Sequence, residues 1–401
     1  MSSPAASSTK KAPCADSACG CAPTPQLKPF AQTPLSPPGA CCGSAPAPAS
    51  DADTRPGYTI CHFVERFMDT PAGPVPVVRT ALGWRDHLGT AGARSGINRD
   101  NYAVAPGLYA VGEPDPDAPI LVTANYKLSF DTLRRRLPGI NAWLLVLDTL
   151  GVNVWCAAGK GTFGTDELVR RIEKSGLAKV VSHKTLILPQ LGATGVSAIA
   201  VKKQSGFSVI WGPIRADDIP AFINTGMKAG TGMRMVTFTT AERVVLIPME
   251  LSIVLKYLIW VVVGAAVISG IGPGIFSFGQ ALHRGMLIIT ACLGGVVAGC
   301  VLTPALLPWI PGTAFAAKGA LLGGAAGIAT VAAAGAGTGR LEAVLMVLCA
   351  AALSSFLAMN FTGATPFTSP SGVEKEMRRA IPLQLAAVAL VVFGWIGAAF
   401  L

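Results

Sequence analysis

LGVNVWCAAGKGTFGTDE, residues 150–167, joins an apolar run to a glycine-rich turn and then to an amphipathic segment. The run VNVWC (152–156) predicts a strand, with Cys156 at its end and at the mouth of the turn. Thr165 predicts an N-cap for the helix that follows, and Asp166 and Glu167 sit where a helix dipole favours acids. A strand that runs through a tight turn into a helix is the building unit of an α/β fold.

The flanking sequence repeats that pattern. ILVTA (120–124), WLLVLDT (143–149), VVSHKTLIL (180–188), VSAIAV (196–201) and FSVIWG (207–212) predict further strands. Helices are predicted over 129–137, 165–176 and 217–226. Apolar, β-branched strands interleaved with helices predict a Rossmann-like α/β domain with a mostly parallel sheet, spanning residues 56–250. Its first part, 56–118, predicts an irregular lead-in: Pro71, Pro74 and Pro76 interrupt it, and Pro106–Gly107 marks a turn before LYAVG.

From about residue 251 the composition changes. Residues 1–250 hold 25 Lys/Arg and 19 Asp/Glu, whereas 251–401 hold 7 and 3. Five apolar stretches follow, near 251–272, 285–307, 313–335, 341–361 and 380–401, each close to the ~20 residues of a spanning helix. They predict an all-α transmembrane domain over 251–401. Gly and Ala in the third (GALLGGAAGIATVAAAGAG) suit close helix packing in lipid. With a cytoplasmic N-terminus, Lys318, Lys375, Arg378 and Arg379 fall in inward loops and Arg284 and Arg340 in outward ones. That distribution agrees with the positive-inside rule. The reading is a multi-pass protein of the inner (cytoplasmic) membrane whose α/β domain faces the cytoplasm.

Residues 1–55 are rich in Ala, Pro, Ser and Gly, the composition of a disordered tail. No apolar leader segment opens the chain, so structural disulfides are not expected among the ten cysteines. Cys14, Cys19, Cys21, Cys41 and Cys42 allow a soft-metal tail, but no CxxC spacing supports one. Cys292, Cys300 and Cys349 fall inside predicted spans, where inert buried thiols are expected. The net charge of +10 is dispersed, its longest run being Arg134–Arg136, so no nucleic-acid partner is expected.

The glycine-rich turn fails as a phosphate-binding loop: Val154 stands where that motif needs glycine, and Gly161 follows Lys160 instead of Ser or Thr. Gly159, Gly161 and Gly164 form a GxGxxG with no acid about twenty residues on, which leaves a nucleotide-binding reading weak. A lone cysteine beside Lys160, near a helix start, is a nucleophile or metal ligand in one reading and a buried structural cysteine in the other. Thr123, Asn125, Tyr126, His183 and Gln190 stand at strand ends, where α/β sheets bind ligands and where turn-forming roles are also common.

Asn153-Val154-Trp155-Cys156-Ala157-Ala158-Gly159-Lys160 resembles the cap-helix motif N(V/I)WCA(A/G)GK of the HgcA family, the corrinoid proteins of the microbial mercury-methylating pair. The resemblance extends to VTANYKLSFD (122–131), LVLDTLGVNVWCAAGKGTFGT (145–165) and LPQLGATGV (188–196), and to the order of domains over about 56–401. It implies a corrinoid-binding domain related to the large subunit of the corrinoid iron–sulfur protein, followed by about five membrane helices. It implies a cap helix beneath a cobalamin-type corrinoid, with Cys156 as catalytic residue and lower axial cobalt ligand. Asn153 and Trp155 would orient the cap, with Asn153 bonding around the thiolate. Val154, Ala157, Ala158, Gly159, Thr162 and Gly164 would shape the cofactor site. Lys160 would assist the thiolate or contact a propionamide, or else be a solvated helix-end lysine. The implied activity is methyl transfer from methyl-Co(III) to Hg(II), forming methylmercury. The implied partners are a small ferredoxin with two [4Fe–4S] clusters (HgcB-like) as electron donor and a methyltetrahydrofolate-dependent methyltransferase as methyl source. A membrane-tethered corrinoid methyl carrier of one-carbon metabolism is the alternative.

Overall fold

A computed structural model describes residues 54–55, 58–59, 61–335, 337–365 and 368–401. The cysteines of the N-terminal tail lie outside the described residues. Seven strands form one sheet: β1 Val64–Thr70, β2 Gly73–Val78, β3 Gly107–Val111, β4 Ile120–Ala124, β5 Ala142–Leu147, β6 Thr185–Leu188 and β7 Ser208–Trp211. Their order is β1-β2-β3-β5-β4-β6-β7. β1–β2 and β3–β5 pair antiparallel; β2–β3, β5–β4, β4–β6 and β6–β7 pair parallel. The sheet is therefore mostly parallel, and β4 and β5 at its centre are buried at every residue. Burial on both faces is why these strands read as unbroken apolar runs.

The helices are α1 Trp84–Arg94, α2 Lys127–Arg134, α3 Val154–Lys160, α4 Thr165–Lys174, α5 Ala198–Ser205 and α6 Ile219–Asn224. Ile120, Val122 and Ala124 of β4 pack with Leu168 and Ile172 of α4 and Val201 of α5. Leu121, on the other face, packs with Phe130 and Leu133 of α2 and Phe222 of α6. The chain thus leaves β4 for one face and β5 for the opposite face. Adjacent strands whose connections diverge open a crevice at their carboxyl ends.

Five helices follow that are long and apolar enough to cross a membrane: Thr240–Gly270, Phe278–Leu306, Phe315–Ala334, Arg340–Thr362 and Ser371–Gly397. Within them we label α7 Ile247–Gly270, α8 Phe278–Val297, α9 Phe315–Ala334, α10 Arg340–Met359 and α11 Pro370–Gly397. Gly319, Gly323 and Gly327 form one stripe of α9 against α10. A Cβ on Gly323 would come within 2.5 Å of the Ala350 carbonyl oxygen, and one on Gly327 within 2.7 Å of Val347 Cα. Small residues set how closely these helices approach. Leu307, Phe315 and Phe361 pack with Phe238 and Leu246, so these helix ends lie on the side of the α/β domain.

Several sequence expectations are corrected. VNVWC is not a strand: β5 ends at Leu147, and Asn153 starts a helix. VSAIAV is not a strand either, because Ser197 caps α5 by accepting the Ala200 N–H at 3.4 Å. Only 185–188 of VVSHKTLIL is strand, after a helical turn at Leu177–Val180. The N-cap of α4 is Gly164; Thr165 is its first helical residue, and its hydroxyl accepts the Ser197 N–H at 2.9 Å. The stretch 56–118 is ordered where described, into β1, β2, α1 and β3. Pro74 and Pro76 lie inside β2, which pairs β1 throughout but β3 at only Val77↔Ala110. Proline offers no donor, so such a strand keeps one poorly paired side. Cys61 is buried and disulfide-bonded, against the expectation of reduced thiols.

A buried ionic cluster ties α1 to α2. Lys127 Nζ donates to Asp86 at 2.6 Å and to Asp131 at 2.5 Å. Arg134 reaches both carboxylates at 2.8 Å, and His62 Nε2 lies 2.7 Å from Asp86. Burial alone would raise the Asp86 carboxyl, but the hydrogen bonds from His62 and Lys127 and the charge of Lys127 hold it far below the ordinary 3.8. A carboxylate held that low is stabilising above its unfolded pKa and loses that contribution as pH falls. The folded chain is therefore expected to be at full stability above about pH 5 and to weaken progressively below the ordinary carboxylate range. Unfolding midpoints measured between pH 6 and pH 3 check this, and Asp86→Asn should flatten the slope. An unchanged slope in Asp86→Asn would show that the acid sensitivity arises elsewhere.

Candidate functional site

The loop from β5 to α3 is held from beneath by one side chain. Asn125 Oδ1, just past the end of β4, accepts from Thr149 N (3.0 Å), Thr149 Oγ1 (2.8 Å) and Gly151 N (3.0 Å). That grip sustains two successive left-handed residues, Leu150 (φ 57°) and Gly151 (φ 71°). Left-handed backbone is strained for leucine, so the surroundings must hold it in place. Glu167 fixes the far end: it accepts the Asp148 N–H at 2.8 Å and pairs with Arg170 and Arg171. Burial would raise this carboxyl; the Asp148 N–H and the two arginines lower it.

Asn153 is the N-cap of α3. Its side chain accepts the Cys156 N–H at 2.9 Å, so it orients the helix and does not bond the sulfur. Ala157 and Ala158 are the buried face of α3. Trp155, Cys156, Gly159 and Lys160 are exposed on the other face. Cys156 is a free thiol. Nothing lies within 4 Å of a Cβ placed on Gly159, so the space one turn beyond the thiol is open. Lys160 stands one turn beyond Cys156, and Gly161 (φ 80°) ends the helix. Thr162 and Gly164 lie in the turn behind: Thr162 Oγ1 donates to the Ala157 carbonyl at 3.4 Å, and Gly164 is buried. The first glycine of the GxGxxG therefore lies inside a helix and the other two follow that helix, not a strand, which removes the context a nucleotide fingerprint needs.

The loop 190–196 supports α3 from behind. A Cβ on Gly192 would meet the Phe163 ring at 2.6 Å, and one on Gly195 would overlap the Phe163 carbonyl and reach Ala158 Cα at 3.0 Å. Gly195→Ala is expected to push this loop off α3 and to cost about 1–3 kcal/mol. Faster amide exchange at residues 154–160 would show it; unchanged exchange there would refute the support role.

A cleft of about 620 Å³ opens beside this helix at the carboxyl edge of the sheet. Thr123, Leu188, Gly212 and Pro213 form its base, Leu128 and Thr132 of α2 one wall, and Asn153, Val154 and Trp155 another. Met249 and Glu250 of the first membrane helix close it, with Phe361. Cys156 lies just outside, on the exposed face next to Trp155. Arg94, Arg99 and Tyr126 also line the cleft. The Tyr126 hydroxyl and Arg94 Nε are buried with no hydrogen-bond partner among the described residues. Burial pushes the Tyr126 hydroxyl's pKa up, against the pull of Arg99 and Arg94. Buried polar atoms without partners are costly, so these two ask for a polar ligand.

Residues 90–223 match the family model of the CO dehydrogenase/acetyl-CoA synthase delta subunit. The match takes in β3 to β7, α3 and most of the cleft. Among curated proteins, the chain is similar to the acetyl-CoA decarbonylase/synthase complex subunit gamma of Archaeoglobus fulgidus, 34% identical over 127 residues. It is also similar to subunit gamma 2 of Methanosarcina thermophila, 38% identical over 128 residues. Each alignment covers 31% of this chain and 27% of the relative. The subunit gamma of Methanocaldococcus jannaschii is 38% identical over 98 residues, 24% of this chain and 20% of that protein. The chain thus spans about a quarter of the length of these relatives.

Of the strand-end residues, the structure brings Thr123 and Tyr126 into the cleft and uses Asn125 as the loop clamp. His183 Nε2 lies 3.0 Å from the Ala118 carbonyl oxygen, and Gln190 bonds Arg234; neither lines the cleft. Arg94, Arg99 and Gly195 were not picked out from the sequence. The arginines gave no signal, because they lie between β2 and β3, at the end of α1 and in the turn after it, away from any strand end. Gly195 sits inside LPQLGATGV, whose two glycines were the available clue.

Proposed function

We propose that this chain is a membrane-bound, corrinoid-dependent methyltransferase that methylates Hg(II) to methylmercury. The observation that carries it is the exposed Cys156 on a short capped helix, with open space at Gly159 and, alongside, a mostly apolar cleft that holds two unpartnered polar atoms. The donor set suits a corrinoid: one soft thiolate for cobalt, a flat approach for the macrocycle, and donors for its amide rim. When bound, the corrinoid would supply a cobalt-held methyl group; Cys156 would hold the metal through its thiolate, an electron-rich donor that would favour methyl delivery to a soft electrophile such as Hg(II).

The chain's own residues do the positioning. Asn153 fixes the start of α3, Ala157 and Ala158 seat it, and Asn125 sets the angle at which Cys156 is presented. Tyr126, Arg94 and Trp155 line the cleft, where the first two would donate to polar groups on the cofactor's rim and Trp155 would cover one edge; Lys160, at the exposed end of α3, would contact a propionamide. A two-cluster ferredoxin serves as reductant and a methyltetrahydrofolate-dependent methyltransferase as methyl source. The α/β domain faces the cytoplasm, since Lys318 lies in the first turn of α9 and Lys375, Arg378 and Arg379 in the first turns of α11, and α9 starts on its side of the bundle.

The similarity to acetyl-CoA decarbonylase/synthase subunits favours a second reading, a membrane-tethered methyl carrier of one-carbon metabolism. An assay with the full chain, both partners, methyltetrahydrofolate and HgCl2 separates the two. Methylmercury formed catalytically supports the first. Methylation of the bound corrinoid with no methylmercury released would contradict it and leave the carrier.

A further inference from the structure

The membrane bundle holds a second pair of soft ligands, remote in sequence from Cys156. Cys292 of α8 and Cys349 of α10 face each other with their sulfurs 3.6 Å apart. Both are free thiols. Cys292 is buried and Cys349 half-buried, among Ile288, Leu345 and Trp395. Both line a cavity of about 510 Å³ whose walls are almost wholly apolar, Gln384 excepted. The cavity gives each side chain room to change rotamer.

We propose that Cys292 and Cys349 form a two-coordinate site for Hg(II) inside the membrane. Two sulfurs select a soft cation. Among the described residues no third Cys, His, Asp or Glu joins them, which disfavours Zn(II) with its tetrahedral set. Charge makes the further choice. Each thiol gives up its proton, two Hg–S bonds form, and the two thiolates cancel the two positive charges of the metal. The bound unit is neutral and carries no Born cost in an apolar cavity. A monovalent Cu(I) on the same thiolates would leave a net negative charge there, which the surroundings do not pair. A linear S–Hg–S unit holds its sulfurs farther apart than 3.6 Å, and rotation into the cavity supplies the difference. The site does not depend on the corrinoid reading, since it needs neither cobalt nor Cys156.

The test uses the full chain in lipid nanodiscs, loaded with HgCl2 and dialysed against excess glutathione. The parent should retain one more mercury per chain than either Cys292→Ser or Cys349→Ser, because a two-coordinate site fails when either ligand is lost. Equal retention in all three would overturn the proposal. A second measurement needs no variant: alkylation of Cys292 and Cys349 by N-ethylmaleimide, read by peptide mass spectrometry. HgCl2 should protect both thiols, and Zn(II) and Cu(I) should not. Unchanged alkylation, equal protection by Cu(I), or recovery of the two as a disulfide from freshly alkylated membranes would each overturn it. Mercury methylation is not read in either experiment, so the two hypotheses fail separately.

Discussion

Replacing Cys156 by alanine is expected to abolish methyl transfer while leaving the fold intact. The side chain is exposed and is not part of the core, and alanine is the best helix former, so α3 should persist. The Asn153 cap bonds the backbone of residue 156 and survives the change. What is lost is the sulfur donor. The effect should exceed the roughly 10–100-fold that removal of an outer-shell partner costs a metal site. Cys156→His should keep part of the activity, because imidazole is also a metal ligand. Circular dichroism shows whether the fold is kept, and product assay shows the loss. Full activity in Cys156→Ala would remove the thiolate from the mechanism.

Lys127→Met is expected to have the largest effect on stability. Lys127 is wholly buried and is shared by Asp86 and Asp131, which are 2% exposed. Methionine matches its bulk but leaves the carboxylates with only Arg134, His62 and the Gly83 N–H among the described residues. Breaking such a buried pair costs about 3–5 kcal/mol, a large share of the 5–15 kcal/mol typical of a folded domain. Lys127 directly follows Tyr126, so the cleft wall should loosen with it. A urea titration of the purified chain reads the loss, and Lys127→Met with Asp131→Asn should recover part of it. A single variant as stable as the parent would mean that the cluster is not what joins α1 to α2.

The sheet was legible where burial on both faces made strands read as unbroken apolar runs. ILVTA falls where expected; FSVIWG, a half-buried edge strand, also falls within a residue at each end. Two of the failures share a cause. VNVWC and VSAIAV are short apolar runs with β-branched residues, and periodicity alone cannot tell such a run from a helix packed on a core. In both, a capping side chain decided: Asn153 for the first and Ser197 for the second. Each cap stands immediately before its helix, so the signal was in the sequence and was outweighed by the run. The lead-in was misread because Pro74 and Pro76 look like breaks, yet they fit a strand that pairs fully on only one of its two sides. The candidate site was legible at Cys156 and the small residues around it. Its depth was not: Arg94, Arg99 and the helix that closes the cleft come from distant parts of the chain, and only the fold brings them together.

The central claim is a bond from the Cys156 sulfur to cobalt, and X-ray absorption at the cobalt edge of the corrinoid-loaded full chain tests it most directly. One sulfur neighbour of the metal in the parent, absent in Cys156→Ala, is the result expected. A shell of nitrogen and oxygen alone, identical in parent and variant, would contradict the account.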